Sequence, residues 1–205
     1  MQDEIVLTQA TKSLWGKLAR DESNRWLPLW VHLADTGEVS KLLWDYWLPF
    51  HTKKIISDGI CPVMNKGEDA IAYAKKVAVF MAYSHDFGKA SPVFQEKANQ
   101  AGYQELVDEI TGKGLKISFK SDIETSRSLT HAVVGQAILE RQGLDRSYAV
   151  VIGGHHGKPP NDNSNVDKVS DYSRMTGVGA LEWEAVHNQL LSFALDKSSL
   201  TEIPS

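Results

Sequence analysis

Six side chains able to bind metal fall at four places in a chain whose apolar pattern is helical almost throughout: His32, the pair His85-Asp86, His131 and the pair His155-His156. Adjacent His-Asp and His-His pairs, joined by single histidines on separate helical stretches, are how an all-helical protein assembles a centre for more than one metal ion. Serving one purpose, they require distant helix ends to converge on a shared pocket. Imidazole nitrogen with carboxylate oxygen suits manganese, iron, cobalt, nickel or zinc, and the chemistry this favours first is hydrolysis.

Apolar residues recur at helical spacing, and strand-like alternation is confined to the short LKISF stretch, so the chain reads as all-α. A helix is expected over 26–47, with Pro28 in its first turn, Pro49 closing it and Gly37 able to bend or break it. A second helix over 68–85 carries the stripe Ile71, Ala74, Ala78, Met81 and His85, which ends in the ligand pair. Gly88 and Pro92 end that stretch and start the next. After a long polar loop over 111–128, a helix over 129–142 is capped by Thr130 or Ser128, stopped by Gly143, and turns His131, Val134 and Ile138 inward. A helix over 146–156 sets Ala149, Ile152 and His156 on one side. A flexible polar stretch, 161–177, separates it from a last helix over 178–195. No internal repeat or domain boundary interrupts the chain, so 1–205 reads as one domain.

A lone histidine on an apolar face is more often a hydrogen-bonded core residue than a ligand. That reading is accepted for His51, placed in a loop after Pro49, and for His187, in a helix without acidic company. The other five share one explanation, convergence on metal, because a neutral imidazole binds metal well and an ion neutralises a buried carboxylate beside it. The glycines of VIGGHHGK match neither a P-loop nor a dinucleotide fingerprint, and close helix approach explains Gly153 and Gly154 better. Trp26, Trp30, Trp44 and Trp47 are candidate stacking platforms, but their helical spacing favours packing.

A net charge of −4 is not the footprint of a protein that grips nucleic acid by bulk electrostatics. Local basic groups are Lys53-Lys54, Lys75-Lys76, and Lys113, Lys116, Lys120 and Arg127, which outnumber Asp122 and Glu124 in the polar loop; the first two pairs read as solvated faces. The single cysteine, Cys61, excludes an internal disulfide and a Cys-rich zinc site. No apolar run is long enough to span a bilayer and no secretory signal opens the chain, so a cytoplasmic domain without membrane contact is expected.

The frames SHDFGKASPVFQ around His85-Asp86, THAVVGQ around His131, GGHHG around His155-His156, and LWVHLADTGEVSKLLW carrying His32 resemble the HD-domain metal hydrolases. More narrowly they resemble the HD nuclease domain of the CRISPR-associated helicase-nuclease of type I systems. The resemblance implies an HD-domain helical bundle with Asp86 bridging two divalent ions, His32 and His85 on the first, and His131, His155 and His156 on the second. It implies that Lys89 positions a scissile phosphate or the attacking water. The implied chemistry is two-metal hydrolysis of single-stranded DNA, with a helicase in cis or in trans supplying the strand after an RNA-guided surveillance complex has opened the target. The family's further aspartate, from a later helix in a context like Ala-Asp-Trp, has no counterpart here: Asp167, Asp171 and Asp196 lack that context. The chain is therefore expected to be the N-terminal part of a longer helicase-nuclease lacking its last helix, or else a natural short form. Two alternatives stay open: an HD phosphohydrolase of nucleotides, and a catalytically incomplete HD scaffold that binds an RNA-guided complex.

Overall fold

The computed structural model describes residues 5–19, 21, 23, 25–60, 68–117, 129–157 and 164–204. Cys61, Lys120, Asp122, Glu124, Arg127, Ser128 and the end of LKISF lie outside the described residues.

Among the described residues the architecture is all-α with one small ribbon. The short helix α1 (Gln9–Lys12) leads into strands β1 (Trp15–Leu18) and β2 (Trp26–Pro28), which pair antiparallel with Trp15 opposite Pro28 and Lys17 opposite Leu27. This ribbon is a strand pair that periodicity missed, and the described part of LKISF, 115–117, is not a strand. Lys17 is exposed and Trp15 buried, so β1 carries too few alternations to stand out from a helix in sequence.

Helix α2 (Leu29–Leu42) starts only after Pro28, because β2 takes the residues expected to be its first turn. Gly37 does not break it. The Tyr83 ring lies where a Cβ would be, 2.1 Å away, so this glycine exists for close packing on α4 (Glu68–Ser84). A π-helical turn, Leu43–Trp47, follows α2, with Leu48 N–H donating to Leu43 O at 2.9 Å. Helix α3 (Phe50–Ile60) contains His51, exposed on a helix rather than set in a loop.

Helix α4 packs against α2, α3 and α12 (Leu181–Ser198), the last helix. Three neighbours require a face broader and slightly rotated from the expected stripe. Ala70, Ala74, Val77, Val79, Phe80 and Tyr83 are its buried apolar residues, while Ile71, Ala78 and Met81 are only half-buried. After the site come a 3₁₀ turn (Phe87–Lys89), the short α5 (Pro92–Gln95) and α6 (Lys97–Gln100), and α7 (Gln104–Gly112), which absorbs the start of the expected loop.

Helix α8 (His131–Arg141) begins as expected at Thr130, whose side chain accepts from Val133 N–H, and Gly143 ends the segment at φ +103°. Helix α9 (Arg146–Gly153) is capped by Asp145 and stops before His155. The described part of the stretch expected to be flexible, 164–176, forms α10 (Ser164–Asp167), a 3₁₀ turn (Lys168–Tyr172) and α11 (Ser173–Thr176). Its polar composition reads as loop, yet Val166, Val169 and Met175 are buried and join it to the core. No described helix is long and apolar enough to cross a membrane.

Candidate metal centre

Asp86 lies just past the end of α4, where φ −105° and ψ 23° put the backbone in the sparsely populated region between strand and helix. This turn drives its carboxylate inward among five side chains from four places in the chain, its own turn included. Oδ2 faces His32 Nε2 at 2.7 Å, His85 Nε2 at 3.2 Å and Lys89 Nζ at 2.8 Å. Oδ1 faces His131 Nε2 at 3.1 Å and His155 Nε2 at 3.3 Å. His156 Nε2 lies 2.9 Å from His131 Nε2. The donors form two sets sharing Asp86, one with His32 and His85 and one with His131, His155 and His156, each having its donor atoms within 4.8 Å of one another. All six candidate ligands are thus brought together, His32 and Asp86 buried and His156 exposed at the mouth.

The donor chemistry fits metal ions. His85 Nδ1 donates to Ala82 O at 2.8 Å and His155 Nδ1 to Ile152 O at 2.7 Å. Each hydrogen bond fixes the tautomer, so that a neutral ring turns the lone pair of Nε2 toward Asp86. A lone pair facing a carboxylate oxygen is repulsive unless a cation sits between them. Asp86 Oδ1 and His155 Nε2 are also buried without a hydrogen-bond partner, an arrangement that a shared ion resolves. Burial pushes the Asp86 carboxyl upward, but His131, His155, His32 and His85 together outweigh it and hold the group well below the usual carboxylate range. Contact with Asp86 raises His155, while burial and two neighbouring histidines lower His156. An anion so firmly held at the junction of two imidazole sets suits divalent cations.

The surrounding frame contains residues that sequence reasoning missed. The β1–β2 register shifts between Trp15 and Lys17, leaving Gly16 at a bulge whose carbonyl accepts from Lys89 Nζ at 2.8 Å. A Cβ on Gly16 would lie 3.2 Å from His32 Cβ, so the glycine admits the ligand helix. The fully buried Gln95 accepts from Trp15 N–H and donates to Trp15 O and Lys89 O, tying the ribbon to the turn after Asp86. Gly88 has no room for a side chain: a Cβ would stand 1.9 Å from His131 O and 2.4 Å from Gly135 N. The frames FGK and VVGQ held this signal in their glycines; Gln95 stood in the frame SHDFGKASPVFQ as part of the resemblance, with no role assigned to it.

Other candidates fall elsewhere. His187 is buried, donates from Nε2 to Ala90 O at 2.8 Å, and burial pushes it down to about 4. Asp167 pairs with Arg146, and Asp196 lies beside Lys197. Trp44 is buried, Trp26 and Trp30 half-buried, and Trp47 is 72 % exposed, so the four tryptophans do not form one packed face.

The sequence profile of the family described as "Cas3, HD domain" matches residues 15–203. The CRISPR-associated nuclease/helicase Cas3 of Streptococcus thermophilus is 29% identical over 201 residues, covering 92% of this chain and 21% of that protein. The CRISPR-associated endonuclease/helicase Cas3 of Thermus thermophilus is 28% identical over 160 residues, covering 77% of this chain and 16% of that protein. A solved structure described as "Crystal structure of CRISPR-associated protein" has the same fold, with a TM-score of 0.75 at 24% identity over 95% of this chain and 20% of that one. The chain spans about a fifth or less of the length of these relatives.

Proposed function

The chain belongs to the Cas3 HD domain family, and from that membership we propose that it is a metal-dependent nuclease that cuts single-stranded DNA in CRISPR interference by two-metal hydrolysis. One observation carries the reading: the two oxygens of Asp86 are divided between two imidazole sets, Oδ2 toward His32 and His85, Oδ1 toward His131 and His155. A bridging carboxylate needs that division. His32 and His85 complete the inner position, and His131, His155 and His156 the outer one.

When bound, two divalent ions would lower the pKa of water and neutralise charge growing on the phosphate and leaving oxygen. The protein's part is to hold five imidazoles in place, His85 and His155 in fixed tautomers, and to keep Asp86 ionised. Lys89, with its ammonium 2.8 Å from Asp86 Oδ2, orients a phosphate oxygen or the attacking water. No side chain has to act as nucleophile. A helicase, in cis or in trans, and an RNA-guided surveillance complex deliver the strand, which suits a domain of net charge −4.

The test is to incubate the purified chain, without ATP, with circular single-stranded DNA and separately with nucleotides, in manganese, nickel, cobalt, iron or zinc, while measuring bound metal. Metal-dependent opening of the circle is the expected result. Turnover of nucleotides alone would select a nucleotide phosphohydrolase, and turnover of neither a binding scaffold.

A further inference from the structure

Lys97, at the start of α6, is an exposed lysine with no acidic partner among the described residues, so its ammonium is open to a ligand from solvent. Its ammonium lies 5.2 Å from the centroid of the Phe94 ring, and Lys89 Nζ lies 5.3 Å from the same centroid. Two ammonium groups thus share one ring, whose quadrupole satisfies a cation only in part. Partial desolvation of the ammonium, and then the charge of Lys89, pull Lys97 downward although the residue as a whole is exposed. Lys89 has Asp86 and the Gly16 carbonyl, whereas Lys97 has neither.

The location gives this imbalance a use. Phe94 stacks on Trp15 with centroids 4.4 Å apart and meets the edge of His131 at 5.5 Å. A single aromatic ring therefore separates Lys97 from a member of the outer donor set. The site opens on that side, since His156 is exposed while His32 and Asp86 are buried. A strand entering there brings a phosphodiester past the Phe94 ring before or after the bond to be cut. An anion at that point relieves the repulsion between the two lysines, and Phe94, wedged between Trp15 and His131, fixes where it sits.

We infer that Lys97, braced on Phe94, forms a phosphate-binding subsite for the nucleotide flanking the scissile bond. The inference rests on the nuclease reading above and deepens it. Lys97 is a substrate-positioning residue that touches the backbone and carries no sequence preference.

The experiment compares the wild-type chain with Lys97→Met, which keeps the apolar stem on Phe94 and removes the charge, and with Lys97→Arg, which restores it. Binding of a fluorescent oligothymidine is measured in EDTA across a salt series, so that the readout does not depend on loaded metal. Lys54→Ala, on α3 and paired in the native chain with Asp58, controls for bulk charge. Lys97→Met should bind about tenfold more weakly at low salt, consistent with one lost charge-assisted contact. Its slope of log affinity against log salt should flatten by about 0.7, one phosphate contact on a single strand. Lys97→Arg should recover both values, and Lys54→Ala should leave both at wild type. Wild-type affinity and slope in Lys97→Met overturn the inference while leaving the nuclease reading intact, as does an equal loss in Lys54→Ala. A wild-type chain that neither binds the oligonucleotide nor cuts single-stranded DNA with metal overturns both.

Discussion

At Asp86 one side chain faces four imidazoles and an ammonium group, so its removal does more than delete a ligand. Asp86→Ala leaves those cations or lone pairs facing one another without an anion. Loss of an outer partner of a metal ligand costs about 10–100-fold in affinity; loss of the carboxylate common to both sets should exceed that and empty both together. Elemental analysis after dialysis at fixed free manganese measures it, and two retained ions per chain would refute the shared role. His187 makes a second prediction, governed by burial. Its folded pKa of about 4 lies below the ordinary 6.5, so the neutral ring is the form the fold accepts. The stabilisation is complete above about pH 6.5, falls as pH drops toward 4, and amounts to about 3 kcal/mol over that window. His187→Gln keeps a donor for Ala90 O but does not titrate. Urea unfolding in EDTA at pH 7 and pH 4.5 should show a steeper acid loss in the wild type than in the variant; parallel losses would show that the ring carries its proton without penalty. At this scale the sequence was informative about donors, because adjacent His-Asp and His-His pairs are conspicuous. It marked Gln95 only as part of the frame SHDFGKASPVFQ and gave it no role, because its hydrogen bonds to Trp15 and Lys89 follow from packing the ribbon beside the site.

Among the elements, α8 was legible because Thr130, the apolar positions and Gly143 all agree on its bounds. The region 26–47 was not, because three different backbones occupy a stretch with one continuous apolar pattern. Pairing with β1 claims the first residues, a demand no local pattern reveals. At the far end, the π-helical turn changes the angular step per residue, so Trp44 and Trp47 cease to share a face. Trp44 turns inward at 4 % exposure and Trp47 outward at 72 %. The two should separate cleanly under substitution. Trp44→Ala removes a buried aromatic and should cost about 3–5 kcal/mol, whereas Trp47→Ala should stay within about 0.5 kcal/mol. Chemical denaturation of both variants decides it, and equal costs would mean that the turn is α-helical and Trp47 is packed.

Across the whole molecule, the site gathers residues from α2, the turn after α4, α8 and the turn after α9, braced by a bulge in β1. Convergence of this kind was legible as a requirement, since isolated histidines on separate helices make sense only if their ends meet. The division of Asp86 between two sets was not, because it depends on distances that periodicity does not contain. The same convergence links metal to folding: unfolding scatters the donors along the chain, so an ion bound by the native protein favours the native state by mass action. Metal at a hundred times its dissociation constant should add about 2.7 kcal/mol for one site. In a domain of this size that corresponds to a rise in Tm of roughly 5–10 °C. Scanning calorimetry with manganese and with EDTA measures the shift, and three chains make it decisive. His187→Gln, changed at a core residue outside both donor sets and able to keep the hydrogen bond to Ala90 O, should show the wild-type rise from its own baseline. Asp86→Ala should show little or none. A rise in Asp86→Ala as large as in the wild type would place the stabilising ion outside this cluster, and the shared carboxylate would then have no part in holding metal.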